Sequence, residues 1–446
     1  MKRLKRSNHN DYIFEKYDSL TGLVKYDYFV SELDNLVSEF PDTNLKLAFV
    51  YTDIKHFKYI NEAFGYNIGN ELLRLYADLA TTDSPLHLGT CRVYSDNFIS
   101  VINIASLTEE EFIDSINSTN RVYEEKAKAL IVDRNFQINT GVYILKDSFH
   151  EDLSTAISNA NYARKQAKML NSRKCVVFDD SMMNKVIHKM ELCSAFPNAI
   201  ATGEIQVYYQ PKVDSITKKV IGAEALVRWI KKDGSFIFPD QFIPALEENG
   251  LIIDLDYYVY RQVFKYIKSK LDNGIPVVPI SMNVSRTHFR DDDLSIYVDN
   301  IFKEFPIPTK YVEFELTESI YIENMNTILP FVNKMRELGI KISMDDFGSG
   351  YSSLNLLNNL PIDIMKLDRA FLGNDNLSNS QRIILSHIIS MAKQLGIEVL
   401  CEGVETKSQS DFLEEAGCDM FQGYYFSRPI NQTAFDEYLN QSMINS

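Results

Sequence analysis

Two adjacent carboxylates, Asp345 and Asp346, follow an apolar alternation (Ile340, Ile342, Met344) and precede Gly348-Ser349-Gly350, whose glycines free the backbone to fold over a ligand. Carboxylates paired at a strand end suit two divalent ions. Hard cations bind oxygen and, set a few ångströms apart, can activate a water and neutralise the leaving oxygen of a phosphodiester. Lys366, which closes the next apolar run DIMKLD, adds a cation where phosphoryl charge would need one. An Asp-Asp pair met alone is an ordinary solvated turn, but these two have company. Glu224, Asn283, Glu315, Glu402 and Gln422 each stand at the polar end of another apolar run. So many convergent carboxylates need cations to coexist.

The elements that position them are strand-like runs: IQVYYQPKV, KVIGAEALVRW, VVPISMNVS, YVEFELTES, IKISMDDFG, IDIMKLD, IEVLCEGVE and CDMFQGYYF. Amphipathic stretches such as FVNKMREL and QRIILSHIISMAKQL separate most of them, which predicts an α/β fold, a TIM-like (β/α)8 barrel with its site at the C-terminal strand ends. Between the first two runs, Asp214 to Lys219 is too short for a helical crossover, so this pair is expected to be antiparallel. Trp229 reads as core, and His288 and His387 have no second histidine at ligand spacing.

At 446 residues the chain is long enough for two or three domains. Its 46 Lys and Arg against 61 Asp and Glu give a net charge of -15, which excludes the basic footprint of a nucleic-acid polymer partner. Five scattered cysteines show neither disulfide nor metal spacing and fit a reducing compartment. No apolar run long enough for a membrane span follows the basic start MKRLKR, so a cytoplasmic location is expected.

In the first half, DSLTGL (18–23) has capping character, and Phe29, Leu33, Leu36 and Val37 recur at helical spacing in a helix through Phe40. LKLAFVYTDI (45–54) reads as a strand with Asp53 at its exit, NEAFGYNIGNELLRLYADL as a helix, and CRVYSDNFISVI as a hairpin. DDSMMNKVIHKMELCSAFPNAI (179–200) reads as a connecting helix interrupted near Pro197, with Met182, Met183 and Met190 as packing residues. The expected division is a polar segment 1–17, a domain 18–180, a linker 181–200 and a barrel domain 201–446.

DSLTGL, DIKHFKYINEAFGYNIGNELL and ANYARKQAK, in this order, resemble the GGDEF family of diguanylate cyclase domains, an α/β nucleotidyl-cyclase-like fold. The family's naming loop here reads Tyr94-Ser95-Asp96-Asn97-Phe98, without the glycines that let backbone approach GTP phosphates. Lys55 stands in an acidic position, Asn70 replaces the guanine-reading Asp, and the inhibitory RxxD motif is absent. The resemblance therefore implies a domain that no longer cyclises. Asp53, Asn61 and Asp96 match nucleotide and metal positions, which keeps GTP a candidate ligand.

The second half resembles the EAL phosphodiesterases of cyclic di-GMP, through Glu224-Ala225-Leu226, NVS, ELTES, DDFGSGYSSL, KLD, EGVE and QGYYFSRP. The resemblance implies Glu224, Asn283, Glu315 and Asp345 as ligands of one Mg2+ or Mn2+, and Asp346 with Asp345 as ligands of a second, aided by Gln422 or Glu402 through water. It implies Lys366 orienting the attacking water, Glu402 as general base, Gln210 and Arg228 contacting the ligand, and Glu318 steadying the DDFG loop. The implied reaction opens cyclic di-GMP to linear pGpG in a homodimer formed through the barrel domain. The alternative is a non-catalytic cyclic di-GMP sensor that acts through a protein partner, although no ligand position is lost.

Overall fold

The computed structural model describes residues 16–38, 45–81, 86–131, 136–146, 152–172, 174–290, 294–348, 361–373 and 377–444. The basic N-terminal tip and the loop 349–360, including Ser349 and Gly350, lie outside the described residues, as do the side chains of Leu36 and Val37. The chain divides into two compact units, Met1–Lys185 and Val186–Ser446.

The first unit is built on a six-stranded sheet in the order β1-β3-β4-β2-β5-β6: β1 Val24–Lys25, β2 Leu47–Ile54, β3 His87–Tyr94, β4 Asn97–Asn103, β5 Ile138–Ile144 and β6 Val176–Val177. Strand β2 is buried along its whole length and runs antiparallel to β4 and β5. Its side chains alternate between two cores: Phe49 and Tyr51 join Phe29, Leu33 and Ala160, whereas Ala48 and Val50 join Phe112 and Ile116.

Two expectations change here. DSLTGL does not cap the first helix; Asp18 Oδ1 instead closes a turn, accepting from Thr21 N at 2.8 Å and Thr21 Oγ1 at 2.7 Å, and β1 precedes the helix Tyr26–Ser38. The helix after β2 is two helices, Phe57–Phe64 and Tyr66–Ala80, separated by Gly65, whose φ of 87° no helix accommodates.

The second unit is a closed barrel. Its strands are β7 Ile205–Asp214, β8 Val220–Ile230, β9 Phe236–Ile237, β10 Ile280–Asn283, β11 Val312–Thr317, β12 Lys341–Phe347, β13 Ile364–Leu367, β14 Glu398–Cys401 and β15 Met420–Phe421. They follow the order β10-β11-β12-β13-β14-β15-β7-β8-β9, and a parallel β8–β10 pairing closes the ring. Strand β7 runs antiparallel to both neighbours, β8 and β15, so the reversed strand is the first. Trp229 is buried between Phe196 and Phe242, as a core residue should be.

The helix Asp180–Thr202 runs through Pro197 without the expected interruption. Met182 and Met183 pack against the first unit's core, whereas Met190 is 66% exposed and packs little. Among the described residues, no helix is long and apolar enough to cross a membrane.

Candidate functional site

The barrel strands build a ladder of buried charge. Lys212 of β7 sets its Nζ 2.9 Å from Glu313 Oε1 and 2.9 Å from Glu315 Oε1, two residues that share a face of β11 through strand alternation. Ser343 Oγ of β12 donates to Glu313 Oε1 at 2.8 Å. The other oxygen of Glu315 accepts from Lys366 Nζ at 2.6 Å. Lys366, on β13 and 1% exposed, also lies 2.9 Å from Asp345 Oδ1, 2.7 Å from Glu402 Oε1 and 3.7 Å from Glu224 Oε2. Glu224 in turn accepts from Asn283 Nδ2 at 3.1 Å and from Gln422 Nε2 at 2.6 Å. Gln422 Nε2 also donates to Gln210 Oε1 at 3.1 Å, and Gln210 Nε2 to the Ser427 carbonyl at 3.2 Å.

Adjacent strand residues ordinarily point to opposite faces, so Asp345 and Asp346 need a local irregularity to serve one site. The register of β12 against β13 shifts between Met344 and Phe347, and Asp346 adopts a left-handed φ of 56°. Beyond it, Gly348 has a φ of 93°, and a Cβ there would meet Phe371 Cζ at 2.1 Å. Its amide donates to Glu318 Oε2 at 3.2 Å, which ties Glu318 to the segment after the paired aspartates.

Burial pushes the Glu402 carboxyl up to about 8, against the pull of Lys366 and helped by Asp345 and Glu224. Glu224 and Asp346 are also raised, in each case first by burial. Glu315 goes the other way. Burial would raise it, but Lys212 and Lys366 together outweigh burial and hold it at about 2. For both lysines desolvation favours the neutral form, and the surrounding carboxylates overcome it and keep the ammonium charge.

This donor set fits divalent cations. Among the described residues, the carboxylates of Glu224, Glu313, Glu315, Asp345, Asp346 and Glu402 face the ammonium groups of Lys212 and Lys366. Fully ionised, these six carboxylates against two ammonium groups would carry an excess of four negative charges, which two divalent ions would neutralise. Asp345, Asp346 and Glu402 each offer an oxygen within 4.8 Å of the others. Among the described residues, Gln422 Oε1 is buried without a hydrogen-bond partner, an acceptor that a cation or its water would satisfy.

The cluster opens into a cleft of about 230 Å³ whose walls also include Arg369, Glu405 and Tyr424, three residues the sequence reading passed over. The signal for Arg369 was its place directly after the strand end Lys366-Leu367-Asp368, since the residues that follow barrel strands face the site. Arg228 is placed differently from the rest. Its Nη1 donates to the Val227 carbonyl at 2.7 Å, and its guanidinium lies 5.7 Å from the Tyr208 ring centroid. His288 is bound up elsewhere, with Nε2 2.9 Å from Asp256 Oδ2.

In the first unit, Asp96 and Asp53 come close enough for Asp53, after burial, to raise the Asp96 carboxyl. Asp96 Oδ2 accepts from Ile54 N at 3.0 Å. Asp53 is held by Asn139 and Arg164, and Asn61 packs its side chain against Gly69. Ser95 turns the hairpin with a left-handed φ of 48°, and Tyr94 beside it is 62% exposed. Lys55 reaches Gln137 and Asn171.

The family profile described as "EAL domain" matches residues 194–429, and that described as "Diguanylate cyclase, GGDEF domain" matches residues 15–174. "Signaling protein YkoW" of Bacillus subtilis is 30% identical over 425 residues, 95% of this chain and 53% of that protein. "Cyclic di-GMP phosphodiesterase NbdA" of Pseudomonas aeruginosa is 29% identical over 434 residues, 95% of this chain and 54% of that protein. The chain thus spans about half the length of these curated relatives. Among solved structures, "PaMucR Phosphodiesterase, c-di-GMP complex" is similar at 31% identity and a TM-score of 0.52, covering 55% of this chain and 99% of that one. With more than half of its length matched by one profile, this chain belongs to the EAL domain family and carries its barrel behind a GGDEF domain.

Proposed function

We propose that the barrel, placed at 201–446, hydrolyses cyclic di-GMP to linear pGpG with two divalent ions, Mg2+ or Mn2+. The GGDEF domain, placed at 18–180 and joined by the linker 181–200, no longer cyclises GTP in this reading and has a regulatory role. The observation that carries the reading is the set of four carboxylates gathered around Lys366, three of which, Glu224, Asp345 and Glu402, line the cleft. Glu224, Asn283, Glu315, Asp345, Asp346 and Gln422 would hold the ions. When bound, these would polarise the phosphoryl oxygens and lower the pKa of the attacking water. Lys366 keeps Glu315, Asp345 and Glu402 aimed at one point and holds positive charge beside them. Glu402, whose carboxyl burial raises in the metal-free site, would be ionised once cations share that site and would then take the proton of the attacking water as that oxygen joins phosphorus. Gln210 and Arg228 would contact the dinucleotide, and Glu318 would steady the segment after Asp346. A homodimer through the barrel and a cytoplasmic setting belong to the same reading.

The test is hydrolysis of cyclic di-GMP by the full chain with Mg2+ or Mn2+, resolved by chromatography, beside Glu224→Ala and Glu402→Ala. Product from the wild type and none from the variants is expected. Tight binding of cyclic di-GMP without product under every metal condition would replace the enzyme with a sensor.

A further inference from the structure

We infer that the first domain supplies its own cation: the Arg164 guanidinium takes the position at Asp53 that the family gives to a divalent ion, and closes it to metal. The inference rests on the resemblance of residues 18–180 to a cyclase domain and is independent of the barrel's activity. Asp53 stands near the end of β2, opposite Asn139 of β5, and both its oxygens are engaged. Oδ1 accepts from Asn139 Nδ2 at 2.6 Å, and Oδ2 is bound by Arg164 Nη1. The two charged side chains are 7% and 8% exposed, so water does little to loosen them.

The guanidinium is also held from behind. Arg164 Nε and Nη2 both donate to Asn161 Oδ1, at 3.0 and 2.8 Å, which fixes the plane of the fork. Its Cζ lies 5.3 Å from the Tyr51 ring centroid. The backbone beneath it has no room to retreat or turn. The helix Leu153–Met169 presses onto β5 at Gly141, where a Cβ would meet Arg164 N at 2.0 Å and the Ala160 carbonyl at 2.2 Å. Arg164 therefore reaches Asp53 because of how this helix packs.

Such a site does not fit a divalent ion. A hard cation needs carboxylate lone pairs and an excess of negative charge, and here the Asp53 carboxylate is neutralised by a group that cannot lose its proton. Asp96, whose Oδ2 accepts from the Ile54 amide, is the second carboxylate near Asp53, so it is Arg164 that removes the negative charge this pair would otherwise offer a cation. A domain that lacked only the loop glycines would keep its metal, so the two causes of lost cyclisation can be separated.

The experiment counts bound Mn2+ per full-length chain by the paramagnetic resonance of the free ion, with melting in EDTA as the check on folding. Asp53→Asn is expected to leave the wild-type count unchanged. Arg164→Leu should bind an additional ion, which is lost again in Arg164→Leu/Asp53→Asn, and Arg164→Lys should keep the wild-type count. A lower count in Asp53→Asn overturns the inference, as does a folded Arg164→Leu that gains no ion. Should Arg164→Leu fail to fold, Arg164→Gln, which keeps a hydrogen-bond donor toward Asp53 without the charge, takes its place and is expected to gain the ion; a folded Arg164→Gln that gains none overturns the inference.

Discussion

Glu315 is the residue on which the barrel's charge pattern turns, because each of its oxygens is taken by a different buried ammonium. Removing Lys212 would leave Glu313 with Ser343 alone and Glu315 with Lys366 alone. Lys212→Met should therefore cost ~3–5 kcal/mol in urea unfolding, the usual penalty for stranding a buried charge. Lys212→Met/Glu313→Leu should recover much of it; a double variant no more stable than the single would show that the pair contributes nothing beyond packing. Under the proposed hydrolysis, Glu402→Gln would keep the shape of the cleft but remove the proposed base, and a loss of about 100- to 10,000-fold in kcat is expected with little change in cyclic di-GMP binding. The residues at the strand ends were legible from sequence because a charge terminating an apolar run is conspicuous. Lys212 and Arg164 were not, for a physical reason: each makes sense only through a partner on a distant element, Glu313 across the barrel and Asp53 across the sheet. Alternation does place Glu313 beside Glu315, and two acids on one inward face demand a counter-charge, but it does not say which lysine supplies it.

Elements explain which expectations held. The eight barrel runs became the eight strands of the ring, since short apolar stretches bounded by polar ends have few other ways to be buried. The reversed first strand also followed, because a turn built on Asp214, whose Oδ1 accepts from Thr217 N at 2.6 Å, leaves no room for a crossover. Helix boundaries fared worse. Asp18 looks the same in sequence whether it caps a helix or closes a turn, and Pro197 sits inside a helix that the rest of its residues sustain. The irregularity in β12 could not be read at all, although it is what turns two neighbouring aspartates toward one site. Gly348→Ala tests its importance. A Cβ there meets both a left-handed φ and the Phe371 ring, so ~1–3 kcal/mol of destabilisation is expected, with weaker Mn2+ binding than in Phe371→Ala/Gly348→Ala, where the ring is gone. Equal metal affinity in wild type and Gly348→Ala would show that this segment does not set the carboxylates.

At the scale of the whole molecule, a chain with a net charge of -15 gathers several of its acids where water cannot screen them, so its stability should respond to protons and, under the proposed two-ion site, to metal with them. In the metal-free protein Glu402 is raised from an ordinary 4.5 to about 8, and Glu224 and Asp346 are raised as well. The folded chain then holds protons that the unfolded chain would release. The Glu402 contribution is complete below the ordinary carboxylate range and is lost as pH rises from there through about 8, and those of Glu224 and Asp346 are lost in the same direction. Glu315 has the opposite sign: its folded value of about 2 stabilises the protein above the ordinary 4.5 and fails only as pH falls towards about 2. Divalent ions compete with the protons on Glu402, Glu224 and Asp346, so they should bind more tightly as pH rises. Without metal, the melting temperature of the barrel should fall between about pH 6 and about pH 8.5, and saturating Mn2+ should remove most of that fall. The stabilisation given by Mn2+ would thus be larger at the alkaline end, and Glu402→Gln, which cannot titrate, should flatten the metal-free profile. Differential scanning calorimetry in EDTA and in Mn2+ measures both. A metal-induced shift that stays constant with pH, or a profile that Glu402→Gln leaves unchanged, would mean that these carboxylates are already ionised before any cation arrives.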